Sequence, residues 1–118
     1  MMGEAVLRYR NGQTERVRLE EADTEQEVLR VARESGETAQ VPFDNLKAVF
    51  FPNRSEMHHY PESGSTIAVE FADGEVIRGM AQYNPERNGF FLYPHDRSKN
   101  DRVFVVNSAI VSIEVEKL

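Results

Sequence analysis

The sequence predicts an all-β chain built as two successive five-stranded, strongly bent sheets or small barrels that pack together. Three observations predict it. Apolar residues fall in runs of strand length, and Ile67, Val69 and Phe71 alternate with Ala68 and Glu70, as in a strand with one buried face. Asn11-Gly12 and Asp73-Gly74 each stand between two such runs, where a hairpin turn belongs. The order of features also recurs: Gly74 follows Gly12 by 62 residues and Ile110 follows Leu46 by 64. A duplicated tandem accounts for this economically. It divides the chain into residues 1–52, a linker at 53–65, and residues 66–118.

In the first half, "AVLRYRNGQTERVRL" reads as the opening hairpin. "DTEQEVLRVARES" admits two readings. Thr24 with Glu27 forms a capping-box pattern, and Val28, Leu29, Val31 and Ala32 could share one side of a helix. The repeat favours a strand, since it places Leu29 to Val31 on Phe91 to Tyr93 and leaves "ESGET" as a hairpin turn. A short helix in place of that strand is the alternative. "AQVPFDNLKAVFF" then matches "VFVVNSAIVSIEV" in the second half.

"PNRSEMHHYPESGS", with two prolines, a glycine and no apolar period, reads as the linker. In the second half, Asp73-Gly74 suits a type I′ turn, whose central residues take positive φ. Gly79 falls inside the next strand, where glycine marks a bulge, a sharp bend or a close backbone approach. "FFLYP" is a short strand ended by Pro94. Val103 to Val106 and Ile110 to Val115 close the half, separated by Asn107-Ser108-Ala109, enough for a tight corner or one 3₁₀ turn. In this alignment only the loop between the third and fourth strands differs in length. A half of about 50 residues has a marginal core. The halves should therefore pack on each other, with a homodimer as the other solution.

Composition narrows the function. The 118 residues are 40% apolar, with no run near the roughly 18 apolar residues of a membrane span and no secretory leader. A cytoplasmic location follows by default. No cysteine is present, which removes thiol chemistry and Cys-rich zinc sites. Twenty acidic against fourteen basic residues give a net charge of −6, which disfavours broad nucleic-acid binding.

The turn glycine, the late glycine of the second strand and the closing pair of strands, "IAVEFADGEVIRGMAQYN" with "RVFVVNSAIVSIEV", look like an Sm-like small barrel. With "YNPERNGFFLYPHDRSKNDRVFVV" and "LKAVFF", nearly the whole chain resembles an uncharacterised bacterial family of duplicated Sm-like domains. The resemblance implies single-stranded RNA binding and ring assembly. Its RNA loop ends in a hydrophobic residue, Met and Asn where this chain has Arg87-Asn88-Gly89, so only the Asn is kept. Its other loop carries Arg-Gly where this chain has Val106-Asn107, without the cation.

"YPHDRSKNDR", residues 93–102, is dense in able side chains. A nucleophilic Ser needs a base and an orienting group held on rigid elements. His95, Asp96 and Ser98 are instead near neighbours in a polar loop, which argues against an enzyme. Adjacent His58 and His59 point opposite ways on an extended chain and make a poor metal pair. No phosphate loop is present, and no cofactor is expected. Phe90 and Phe91 should face opposite sides of their strand, one into the core, and either of Phe50 and Phe51, if exposed, should mark where halves or chains meet. The expectation is a non-enzymatic protein-interaction module, with Arg87, Asn88, Phe90, His95, Arg97, Lys99 and Asn107 as its candidate surface. Single-stranded RNA or a small ligand is the alternative.

Overall fold

The computed structural model describes residues 3–52, 64–84, 86–96 and 100–116. They form ten strands: β1 (Gly3–Tyr9), β2 (Thr14–Asp23), β3 (Val28–Arg33), β4 (Thr38–Pro42), β5 (Leu46–Pro52), β6 (Ser65–Phe71), β7 (Val76–Ala81), β8 (Gly89–Pro94), β9 (Asn100–Val106) and β10 (Ile110–Glu116). Two 3₁₀ turns, Phe43–Asn45 and Asn107–Ala109, join β4 to β5 and β9 to β10. The three-residue break before β10 is thus a 3₁₀ turn, as its length predicts.

All ten strands belong to one open antiparallel sheet, ordered β10-β6-β7-β8-β9-β5-β1-β2-β3-β4. The sequence predicts two five-stranded bent sheets or small barrels packed together. The structure instead runs one into the other, because β5 and β9 pair directly, Ala48 to Val105, Val49 to Phe104 and Phe50 to Val103. On each side of this seam the connectivity is the same: the closing strand lies beside the first, followed by the second, third and fourth. The core is continuous across the seam, and Leu46 to Phe51 are all buried.

Three hairpins share one turn. Gly12 N–H donates to the Tyr9 carbonyl (3.1 Å), Gly36 to Arg33 (2.8 Å) and Gly74 to Phe71 (2.9 Å). Each glycine has φ near +90°, at 91°, 89° and 91°. Asp73 does not take positive φ, so the expected type I′ turn is replaced by the longer loop in which only the glycine is left-handed. The residue before each glycine caps the turn through its side chain: Asn11 Oδ1 accepts from Gln13 N–H (2.9 Å) and Asp73 Oδ1 from Glu75 N–H (3.0 Å).

Residues 28–33 are strand, and the helix alternative is set aside. Burial decides it: Leu29 and Val31 are fully buried while Val28, Arg30 and Ala32 are only partly so, the period of two that a sheet uses. The capping pattern at Thr24 is unused. Asp23 Oδ1 accepts instead from Glu25 N–H (3.0 Å) and Gln26 N–H (2.9 Å), holding a turn. Leu29 to Val31 match Phe90 to Leu92, one residue earlier than the repeat suggested. The pairs Leu19↔Val31 and Ala81↔Leu92 are equivalent, and Glu20 is the extra residue that the β2–β3 register skips as a bulge. The lengths of the two halves therefore differ here as well as between the third and fourth strands.

Candidate interaction edges

Among the described residues, those singled out in the sequence are not gathered into one site. Asn88 Nδ2 donates to the Thr24 carbonyl (2.8 Å), tying the β7–β8 connection to the β2–β3 turn of the other half. Asn107 N–H donates to the Asn88 carbonyl (2.9 Å), and Asn107 Nδ2 donates to the Arg87 carbonyl. Arg87, Asn88 and Asn107 thus form a knot of hydrogen bonds to backbone carbonyls at the 3₁₀ corner, where strand ends leave carbonyls in need of donors. The Arg87 side of this knot is exposed. Phe90 is a core residue, 6% exposed, its ring edge-on to Tyr83 at 5.3 Å. His95 is exposed at the far end of β8, roughly 20 Å from Asn88 at the rise of an extended strand. Arg97 and Lys99 lie outside the described residues, as do Ser98, His58 and His59. Among the described residues, no three His, Asp or Glu side chains are grouped to hold a metal. No helix among them is long and apolar enough to cross a membrane.

Phe91, unlike Phe90, belongs to the seam. Its ring meets Phe104 at 5.2 Å and Phe51 at 6.0 Å, and the Arg102 guanidinium lies over both Phe51 (4.7 Å) and Phe91 (4.8 Å). Phe43, from the first 3₁₀ turn, closes on Phe104 at 5.7 Å. Phe50 and Phe51 are both buried, so neither is an exposed marker of a meeting surface; both lie on β5, which pairs with β9 at the seam.

Sequence reading passed over the polar part of the seam. Lys47 is buried, and its Nζ donates to Asp73 Oδ2 (2.7 Å) and Glu75 Oε1 (2.5 Å) while lying 4.8 Å from the Phe71 ring centre. Arg10 spans the two 3₁₀ turns, donating to the Leu46 carbonyl (2.9 Å) and to Ser108 Oγ (2.5 Å). The bond from Lys47, helped by the Glu75 N–H, holds the Asp73 carboxyl below its ordinary value of 3.8. A carboxyl lowered in the folded state stabilises above its unfolded pKa, and that contribution disappears as pH falls through the lowered value. The stability difference between the wild type and Asp73→Asn is therefore expected to be steady near neutrality and to shrink below about pH 4. Urea unfolding at a series of pH values checks it; a difference that grows in acid would contradict the pairing. Asp73 is too exposed for the effect to be large.

β10 has a different exposure from β5, although the two hold the same place in their halves. β5 pairs Ala48 with Arg8, Val49 with Leu7 and Phe50 with Val6, and a bulge sets off Lys47. β10 pairs Ser112 with Glu70, Ile113 with Val69 and Glu114 with Ala68, and a bulge sets off Val111. β9 covers the other side of β5. No described strand covers the other side of β10. Val111 is accordingly 60% exposed and Val115 46%, although Val115 lies opposite the buried Ile67. β4, at the other end of the sheet, shows Thr38, Gln40 and Pro42 to solvent. A proline and polar side chains are what keep an edge from pairing.

A shallow cleft of about 410 Å³ lies on the first half, lined by Arg16, Arg18, Arg33, Glu4, Glu34 and Pro52 among others. Arg16 and Arg18, two apart on β2, share a face. Arg33 is engaged by Glu15 at 2.8 Å. Burial pushes the Glu15 carboxyl up, but hydrogen bonds from Arg33 and Tyr9 outweigh it and leave the group below its ordinary value. The cleft is thus of mixed charge.

A family model matches residues 3–117, and the chain belongs to that family, a family of unknown function (DUF6982). No significant match was found among curated proteins or solved structures.

Proposed function

We propose that the chain is a non-enzymatic protein-interaction module of a bacterial cytoplasm, made of two fused Sm-like halves, which binds a partner along the β10 edge. The observation that carries this reading is the contrast between β5, covered on both sides, and β10, whose outer side presents Val111 and Val115. Unpaired N–H and C=O groups on such an edge accept an added strand, and adjacent apolar side chains give that strand a place to bury its own. The repeated connectivity supports the reading of two related halves. The bacterial setting rests on the sequence resemblance, and the cytoplasmic one is the default reading of the sequence.

Placing charge on the apolar rim tests it. Val111→Lys with Val115→Lys alters exposed positions and is expected to change stability by no more than about 0.5 kcal/mol. Proteins retained by the immobilised wild-type chain should be lost from the folded double variant. Equal retention by both would sink the edge as the working surface.

An RNA reading finds its support in Arg16 and Arg18 beside the cleft. It calls for anisotropy of labelled single-stranded RNA at about 50 and 200 mM salt, where phosphate contacts lose affinity. Tight binding that weakens with salt and disappears in Arg16→Ala with Arg18→Ala would replace the protein-partner reading.

A further inference from the structure

Resting on the edge-docking reading, we infer that the β10 edge takes an extended segment of a partner protein in which lysine or arginine alternates with apolar residues, laid antiparallel to β10. The seam inside the chain supplies the template. There the arriving strand β9 sets Phe104 opposite Val49 and Arg102 opposite Phe51, and Val103 opposite Phe50. Ile113 and Val115 occupy on β10 the places of Val49 and Phe51, since they pair with Val69 and Ile67 as Val49 pairs with Leu7. An apolar side chain opposite Ile113 has its precedent in Phe104 opposite Val49, whereas opposite Val115, where the seam has Arg102 stacked on Phe51, an apolar side chain would cover a valine that is now exposed.

The opposite side of the edge differs from the seam. Where β5 has Phe50 and Pro52, β10 has Glu114 and Glu116, both exposed. Glu70 stands beside them on β6, opposite Ser112. No ion pair engages Glu114 or Glu116 among the described residues. An apolar residue opposite the exposed Glu114 would gain no partner from it, and an acidic one would repel it, whereas a cation opposite forms a favourable cross-strand pair. The strand edge makes the site; the carboxylates select its occupant.

The same template argues against the β4 strand of a second copy of this chain as the occupant. β4 docked on β10 as β9 docks on β5 would set Gln40 opposite Ile113, Ala39 opposite Glu114 and Thr38 opposite Val115. No cation would meet Glu114, and neither apolar residue of β10 would gain an apolar partner. The aromatic set Phe51, Phe91 and Phe104 that fills the internal seam would be replaced by Val115, Arg30 and Gln40.

The test uses the full chain and two synthetic peptides of strand length, one alternating valine with lysine and one alternating valine with glutamate. Binding is read by anisotropy, and its location by amide hydrogen exchange. The expected result is protection along β10 by the lysine peptide, with the glutamate peptide about tenfold weaker or worse. Glu114→Lys with Glu116→Lys should reverse that preference, while the control Glu20→Lys should not. If both peptides protect β10 equally, or the charge reversal changes nothing, the inferred chemistry is wrong and edge docking stands. If neither peptide protects β10, both fall. A mass that rises with concentration, with mixed Thr38→Cys and Val115→Cys variants cross-linking to each other, would make a second copy the occupant and overturn the inference.

Discussion

Replacing Phe104 by alanine should cost about 3–5 kcal/mol, the range for truncating a buried phenylalanine. The ring is 2% exposed and packs edge-on against Phe91 from its own half and Phe43 from the other. Its removal leaves a hole walled by both halves, on a backbone fixed by the Val49↔Phe104 and Phe91↔Phe104 pairings. The surroundings cannot close over that hole without separating strands, which places the cost at the upper end of the range. A domain of this size is stable by about 5–15 kcal/mol, so the loss takes a large share of the total. Because the core is shared, the variant should still unfold in a single transition at a lower urea midpoint, by fluorescence and circular dichroism alike. Two separated transitions would show that the seam does not couple the halves.

Much of the architecture is legible in the residues, and the illegible part has a physical reason. Ile67, Val69 and Phe71 alternate because one face of β6 is buried, and alternation survives in a single sequence. β5 and β9 do not alternate: "LKAVFF" and "VFVV" are buried throughout. Such runs show that a strand is covered on both faces but not by which strand, so the direct β5–β9 pairing could not be read. Lys47 inside the first run looks like a surface residue, and only the later turn carboxylates Asp73 and Glu75 explain its burial. Asn88 and Asn107 stand out in the sequence only through their place in a resemblance. Both donate to backbone carbonyls at corners, a use of asparagine that a sequence does not distinguish from ligand binding. A signal for the β10 edge was present. Aligning "LKAVFFP" with "IVSIEVE" shows Phe50 and Pro52 replaced by Glu114 and Glu116, the change expected where one closing strand is covered and the other faces water.

Gly79→Ala should be as damaging as many core truncations, by overpacking. A Cβ at this position would lie 2.2 Å from the Tyr93 carbonyl oxygen and 2.8 Å from Leu92 Cδ2. The first obstacle is backbone, so no rotamer change relieves it, and β8 would have to move away from β7 where Gly79↔Pro94 and Met80↔Tyr93 pair. Overpacking of this kind typically costs about 1–3 kcal/mol and occasionally more. Here the high end is expected, since ladder bonds are stretched as well. The close approach is what the glycine inside the strand predicts, and it has a consequence at the far end of β8. His95 N–H donates to the Arg78 carbonyl at 3.0 Å, so displacement of β8 should also free that amide. Hydrogen exchange at His95 should accelerate in Gly79→Ala together with a fall in the urea midpoint, while amides of β2 and β3, on the other side of the seam, keep their relative protection under native conditions. Full stability in this variant would mean that β7 and β8 are not in the close register described.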